Sequence, residues 1–367
     1  MSYTPTRGDL GGNARDLLLA WLPERIAPGG SGFAISDFSS PDAGYSGKTV
    51  FFTADWTNAE GGRAHEDLVL RLQASEHQLF TEPDAPRQAE IMELLKDAPG
   101  VEVPEIVLIE RSSAVLGAPF YLMRRTIGRT PSDVPSWHKR GWTTELTAQQ
   151  RTTMFDNALR SLVAVHAVDA PETIEFLRKG ADPSTSALTR YLADLREWYE
   201  WARDDIIVGT DTLATAYRVI MSTAPETDHE GVVWGDARVG NMAFADDMSV
   251  TALYDWETAT TGPAEIDLGW WLMFEEFLCE GLSFSRPSGI PDSQGTVARY
   301  RELGGCVDDD ITYYKLVAAF VLSLINNRLA ALLTRDGLDP EIAHSYPVTS
   351  VELTSKYLAE LSLGELS

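Results

Sequence analysis

The stretch Trp234-Gly-Asp-Ala-Arg-Val-Gly-Asn-Met-Ala-Phe244, with Thr251-Ala-Leu-Tyr-Asp-Trp-Glu257 after it, concentrates the residues best suited to chemistry in this 367-residue sequence. Asp236 and Asn241 fall on one short loop, separated by four residues, and Asp255 follows after a hairpin-sized gap. Moving a phosphoryl group from a nucleotide to a hydroxyl needs such a set. One carboxylate orients the hydroxyl and takes its proton, while a neutral oxygen and a second carboxylate hold Mg²⁺ against the phosphates. Singly, each of the three is an ordinary turn residue. Their spacing, bracketed by the apolar runs Val232-Val233 and Val250 to Tyr254, points to the functional reading. A second stretch, Asp42-Ala-Gly-Tyr-Ser-Gly-Lys-Thr49, nearly spells a P-loop but has Asp where that motif needs its first Gly. A P-loop must also open into a helix, and Val50-Phe51-Phe52 reads as a strand.

The elements that must position these residues change character along the chain. The first third reads as short strands at Phe33 to Phe38, Thr49 to Trp56, Leu68 to Leu72, Glu105 to Ile109 and Pro119 to Met123. One helical pattern, Arg87 to Lys96, lies among them and stops before Pro99-Gly100. After about Thr126 amphipathic helices dominate: Ala148 to Val168, Ser186 to Ala202, Thr212 to Met221, Asp310 to Leu333 and Ser350 to Leu363. The β-like insert Val232 to Asp255 and a segment Glu265 to Phe277 interrupt them. The spacing therefore predicts an α+β chain with a β-rich lobe over residues 1–125 and a larger helical lobe over residues 126–367, a layout whose clefts bind ligands.

Composition bounds the partners. The sequence has 30 basic and 55 acidic residues, net −25, of which the helical part carries −18. That argues against nucleic acid or an anionic membrane as the main partner, since phosphate contacts need clustered Lys and Arg. Two cysteines, Cys279 and Cys306, exclude a disulfide framework, and the six His show no metal-ligand spacing. No signal-peptide pattern opens the sequence, and the longest apolar run, Leu316 to Ile325, is about half of what a bilayer needs. A cytoplasmic location is expected by default.

On the pattern G-D-x-x-x-x-N followed by D-W-E, the sequence resembles the aminoglycoside phosphotransferase and choline-kinase-like enzymes, relatives of protein kinases. More narrowly, W-G-D-A-R-x-G-N with D-W-E is similar to phosphotransferase domains related to those fused to acyl-CoA dehydrogenases. The resemblance implies a protein kinase-like two-lobed fold, ATP, Mg²⁺, and transfer of the γ-phosphate to a hydroxyl of a small molecule. It implies Asp236 as catalytic base, with Asn241, Asp255 and Glu257 as metal ligands. Arg71 then takes the phosphate-pairing position of the third strand and Glu90 its ion-pair partner. Gly44, Ser46 and Gly47 cover the phosphates with backbone N–H groups, and Tyr121, Leu122 and Met123 form a hinge whose backbone faces adenine. Asp267, in Gly262-Pro-Ala-Glu-Ile-Asp267, braces the catalytic loop.

Two departures stand out. Trp234 replaces the family's loop His, keeping one N–H donor and adding bulk. Arg71 replaces the Lys usual in protein kinases but still pairs with phosphate. Trp234 also motivates the alternative of a non-catalytic, nucleotide-binding pseudokinase. His166 reads as a satisfied core histidine, and Trp198, Trp201, Trp270 and Trp271 as core or cleft wall. Glu275, Glu276 and Glu280 read either as a solvated face or as an acidic wall for a cationic acceptor such as an aminoglycoside. A hydroxyacyl-type acceptor is the other expectation, from the dehydrogenase-linked relatives.

Overall fold

The computed structural model describes residues 13–39, 47–74, 78–308 and 311–364; Gly44 and Ser46 lie outside the described residues. The chain divides into two units, one of residues up to Lys96 with Val103–Thr126, the other of Asp97–Glu102 with the residues from Ile127 onward.

In the first unit, helices α1 (Ala14–Trp21) and α2 (Pro23–Ile26) precede strands β1 (Ser31–Ile35), β2 (Gly47–Thr57) and β3 (Arg63–Gln73). Helix α3 (Ala85–Leu95), β4 (Ile106–Glu110) and β5 (Phe120–Arg124) follow. The strands form one antiparallel sheet in the order β1-β2-β3-β5-β4. Alternation puts Leu68, Leu70 and Leu72 on one face, where they meet Phe52, Phe120 and Leu122. Leu18 and Leu22, four apart and on one side of the opening helical segment, are fully buried in the same cluster. No element is expected before Phe33 from the strand-rich pattern, so α1 and α2 are a finding; the face of the sheet needs their apolar cover. Helix α3 starts where Asp84 accepts from the Arg87 N–H at 2.9 Å and Pro86 takes the first turn.

The second unit is mainly helical: α4 (Ala148–His166), α5 (Pro171–Leu177), α6 (Ala187–Ala202) and α7 (Thr210–Ser222) precede two hairpin-like pairs, and further helices follow. Strand β6 (Gly231–Val233) pairs with β9 (Thr260–Gly262); between them β7 (Met242–Phe244) pairs with β8 (Val250–Leu253). Then come α8 (Glu265–Leu278), α9 (Ser293–Glu302), α10 (Thr312–Arg335), α11 (Pro340–Ala343) and α12 (Val348–Gly364). A full capping box, Thr147 with Gln150, sets the start of α4. The apolar run Leu316 to Ile325 is the middle of α10, which by length and composition is long enough to cross a bilayer; 72% of its most apolar window is buried inside the protein, against α8, α12 and α7. The fold is thus α+β, with the antiparallel sheet in the N-terminal part and the helices in the C-terminal part.

Candidate active site

The loop from β6 to β7 carries the candidate residues Asp236 and Asn241, and a single buried carboxylate shapes its start. Asp267, on the first turn of α8 and without exposed surface, accepts the Trp234 N–H at Oδ2 and the Gly235 N–H at Oδ1, both at 2.7 Å. His166 Nε2 reaches Oδ2 as well, at 3.0 Å, and the Tyr300 hydroxyl lies 2.6 Å from His166 Nδ1. Burial and the Asp267 charge hold Tyr300 well above its ordinary pKa, so it stays a donor. With that hydroxyl donating to Nδ1, a ring hydrogen on Nε2 points at Asp267, so both partners are satisfied. His166 is a satisfied interior histidine, as its apolar helix suggests, and its partner is the brace of this loop. Gly235 adopts φ +89° against Thr258, where a Cβ would run into that residue's backbone.

The indole of Trp234 makes a second tie. Its Nε1–H donates to the Tyr254 carbonyl at 2.9 Å, and the ring lies 5.4 Å from that of Trp256. Trp256 in turn donates to the Leu253 carbonyl at 3.0 Å. The loop start and the segment that presents Asp255 are therefore joined directly. Asp255 itself sits at φ +60°, a conformation uncommon for a non-glycine residue and a form of strain that clusters at working sites.

Asp236 follows immediately. Its Oδ1 accepts from Arg238 Nε and from Trp270 Nε1, each at 2.8 Å, and its Oδ2 accepts from Asn241 Nδ2 at 2.7 Å. A turn of 3₁₀ helix, Val239–Asn241, brings the Asn241 side chain back to Asp236, whose carbonyl it also meets at 3.0 Å. The amide nitrogen being spent, the amide oxygen is what Asn241 can offer a cation. Burial first, and the Asp255 charge second, push the Asp236 carboxyl up to about 7, against the hydrogen bonds from Asn241 and Trp270. Arg238 extends to Asp133 through Nη1 and lies 4.9 Å from the Phe274 ring centroid. Burial lowers it to about 10, with Asp255 and Glu257 opposing, so it remains a cation at neutral pH. Gly240 makes this pairing possible, because a Cβ there would strike both Asp133 and the Arg238 guanidinium.

Asp236, Asn241 and Asp255 are thus brought into one neighbourhood, with Glu257 near enough to act on Arg238. Among the described residues no three His, Cys, Asp or Glu side chains cluster as a self-sufficient metal site. The donor set suits Mg²⁺ in the usual way for phosphate substrates, where one or two carboxylates hold the ion and phosphate oxygens and water complete it. Two carboxylates close enough for one to raise the other's pKa are what such an ion would relieve.

In the N-terminal unit, Arg71 stands on β3 opposite Thr49 of β2 and Tyr121 of β5, and its Nη1 donates to Thr49 Oγ1 at 2.9 Å. Glu90, on α3, pairs with Arg111. Gly47 opens β2 opposite Gln73, and Lys48 and Thr49 continue that strand, so the near-P-loop opens into no helix. Tyr121, Leu122 and Met123 differ from expectation. They lie inside β5, paired with β3 on one side and β4 on the other, so the ladder takes the backbone groups that a base-facing hinge would need.

Trp270, expected among core or wall tryptophans, donates to the candidate carboxylate Asp236. The available signal was its position one turn after Asp267: positions i and i+3 share a helix face, and Asp267 already faced the loop. Of the three glutamates of the same region, Glu275 and Glu276 match neither expectation, whereas Glu280 is exposed, as a solvated face would be. Glu275 is buried and bound to His138 Nε2 at 2.9 Å, with Arg286 3.7 Å away. Glu276 is taken by Lys356, by Lys315 at 3.7 Å and by the Tyr357 hydroxyl at 2.8 Å. Glu280 takes both forks of Arg286 at 2.9 Å.

Comparison with known proteins agrees with this architecture. The chain is 27% identical over 237 residues to mouse acyl-CoA dehydrogenase family member 10 and 26% identical over 216 residues to chicken acyl-CoA dehydrogenase family member 11. Those alignments cover 63% and 59% of this chain but only 20% and 26% of the relatives, so the chain spans a minor part of their length. Among solved structures, a Ralstonia eutropha protein described as of aminoglycoside phosphotransferase type superposes with a TM-score of 0.68 at 19% identity, covering 94% of this chain and 98% of that one. A macrolide 2'-phosphotransferase of Brachybacterium faecium gives 0.53 at 19% identity, covering 89% and 96%. Aminoglycoside 2'-phosphotransferase-IIIa, solved as its GDP complex, gives 0.55 at 15% identity, covering 94% and 97%. The model of the phosphotransferase enzyme family matches residues 37–286, which include the whole loop from Trp234 to Glu257, and the chain belongs to that family.

Proposed function

We propose that the protein transfers the γ-phosphate of ATP, with Mg²⁺, to a hydroxyl of a small molecule. The observation that carries this reading is the convergence of Asp236, Asn241 and Asp255 around one loop that Asp267 and Trp234 hold in place. Asp236 receives the acceptor's proton, Asn241 and Asp255 hold the metal with Glu257 beside them, and Arg71 and Glu90 position the phosphates. When bound, Mg²⁺ neutralises charge on the transferring phosphate; the chain's own part is to orient the hydroxyl and keep the carboxylates fixed. The pseudokinase alternative rested on Trp234, and an indole that anchors the Tyr254 carbonyl supports an intact site instead.

Two observations favour an acceptor with an apolar portion, such as a hydroxyacyl group, over a polycationic aminoglycoside. Glu275, Glu276 and Glu280 already have basic partners within the chain. Trp270, Phe274 and Phe277 follow one another along α8 at helical spacing, with neighbouring centroids 5.6 and 5.7 Å apart, and the row begins at Asp236. It extends for about 10 Å at 1.5 Å per residue. The test is Mg²⁺-dependent ADP release from ATP across aminoglycosides, macrolides, choline-like amines, sugars and 3- or 4-hydroxyacyl-CoAs, with the Asp236→Ala protein as blank. Release stimulated by a hydroxyacyl compound and absent in the variant is expected. Release that persists in Asp236→Ala would remove Asp236 as base, and stimulation by aminoglycosides alone would overturn the acceptor class.

A further inference from the structure

A carboxylate has about four lone-pair sites, two on each oxygen. Both sites of Asp236 Oδ1 are filled, by Arg238 Nε and Trp270 Nε1 at 2.8 Å each, and one site of Oδ2 is filled by Asn241 Nδ2 at 2.7 Å. Among the described residues one site is left, on Oδ2. We infer that Trp270 and Arg238 are positioning residues that turn Asp236 so that Oδ2 alone meets the acceptor hydroxyl.

This inference rests on the reading of Asp236 as the base. In the step it describes, the acceptor oxygen forms a bond to the γ-phosphorus as the bridging P–O bond to ADP breaks, with its electron pair leaving on ADP. The acceptor proton passes to Oδ2. Rotation of the carboxylate plane about its Cβ–Cγ bond would swing the remaining lone pair away from the hydroxyl, and two donors from two different elements resist it. Trp270 comes from α8, whose first turn also carries the Asp267 brace. Arg238 comes from the loop itself and is held at its far end by Asp133 and over Phe274. Trp270 is buried to 7% exposure, so its N–H has little water to turn to, and the ring is held against Phe274.

Trp271, the next residue, supplies the control. It is equally a buried indole, packed edge-on against Phe155 at 5.6 Å, but its Nε1–H has no hydrogen-bond partner among the described residues. Trp270→Phe and Trp271→Phe are therefore the same chemical change on adjacent residues, one deleting a bond to the base and the other deleting none.

The first measurement is the indole ¹⁵N–¹H spectrum of the full chain. The Trp270 signal, assigned by its loss in Trp270→Phe, should move upfield in Asp236→Ala, and the Trp271 signal should not. The second is steady-state ADP release with the most active acceptor of the panel above. Loss of a hydrogen bond to a charged group should lower kcat about 10- to 100-fold in Trp270→Phe, with KM for ATP within about twofold, and leave Trp271→Phe at the wild-type rate. An unmoved Trp270 signal, or equal rates for Trp270→Phe and the wild type, overturns the proposal alone. A wild type that turns over no acceptor overturns it together with the functional reading, so the two failures are told apart.

Discussion

Asp236→Asn should change the pH dependence of stability in a direction opposite to that of an ordinary surface carboxylate. In the folded chain the Asp236 carboxyl is held up to about 7 instead of 3.8, by burial and by Asp255. Between these values the folded protein retains a proton that the unfolded chain has released. Wild-type stability therefore falls as pH rises from about 4 to about 7 and levels off above. About three pH units at ~1.4 kcal/mol each set a ceiling on the order of 4 kcal/mol. The side chain is 19% exposed, so water relaxes part of this; on the order of 2 to 3 kcal/mol should survive. Asparagine keeps an acceptor for Trp270 but weakens the Arg238 pair and sets an amide nitrogen against that of Asn241, costing on the order of 1 to 2 kcal/mol at every pH. The variant should be level with or below the wild type at pH 5 and should gain on it as pH rises, to about 0 to 2 kcal/mol above it at pH 8. Calorimetric Tm values of both proteins at pH 5, 6, 7 and 8 test this, at about 2–4 °C per kcal/mol for a unit of this size. Parallel Tm curves, or a wild type that gains on the variant as pH rises, would refute the reasoning.

Other substitutions probe the remaining ties. Asp255→Asn removes the like charge beside Asp236, so it should flatten the wild-type loss of stability between pH 4 and 7, and titration calorimetry should find Mg·AMP-PNP bound at least tenfold more weakly; unchanged affinity would remove Asp255 from the metal site. Gly240→Ala drives a methyl into the Asp133–Arg238 pair and should cost about 1 to 3 kcal/mol in urea unfolding; a cost below about 0.5 kcal/mol would show that the pair has room to shift. Asp267→Ala strips three donors of their acceptor and should destabilise the chain by about 3 to 5 kcal/mol. A neutral result by urea unfolding would mean that the loop is held from elsewhere.

Much of this site was legible because local spacing determines it. Asp236, Asn241 and Asp255 lie within one hairpin-bearing segment, so their convergence needs only short-range geometry, and the α+β division follows from where periodicity changes from strand to helix. What spacing did not show depends on partners far away in sequence. Arg238 meets Asp133 more than a hundred positions earlier, and Trp270 reaches Asp236 across 34. The glutamates of α8 and after look like a charged face until Lys356 and Arg286 are seen to take them. Tyr121 to Met123 read as a hinge because the resemblance put one there, whereas strand pairing on both sides places them within the sheet. Helix α1 went unseen for a related reason, since Leu18 and Leu22 gain meaning only against the sheet that they cover.

The Trp234 tie to the Tyr254 carbonyl has a consequence for how the reaction field arises. The loop that carries Asp236 and the segment presenting Asp255 are joined by protein bonds alone, so the separation of the two carboxylates does not wait for a ligand to set it. Dipoles that are already aligned when charge begins to move cost no reorganisation at that moment, which is where enzymes gain most over water. Trp234 is buried, and its ring fills space beside Trp256 as well as donating its N–H. A smaller side chain could replace the hydrogen bond without replacing the wedge. The alignment would then have to be recreated each time a ligand binds.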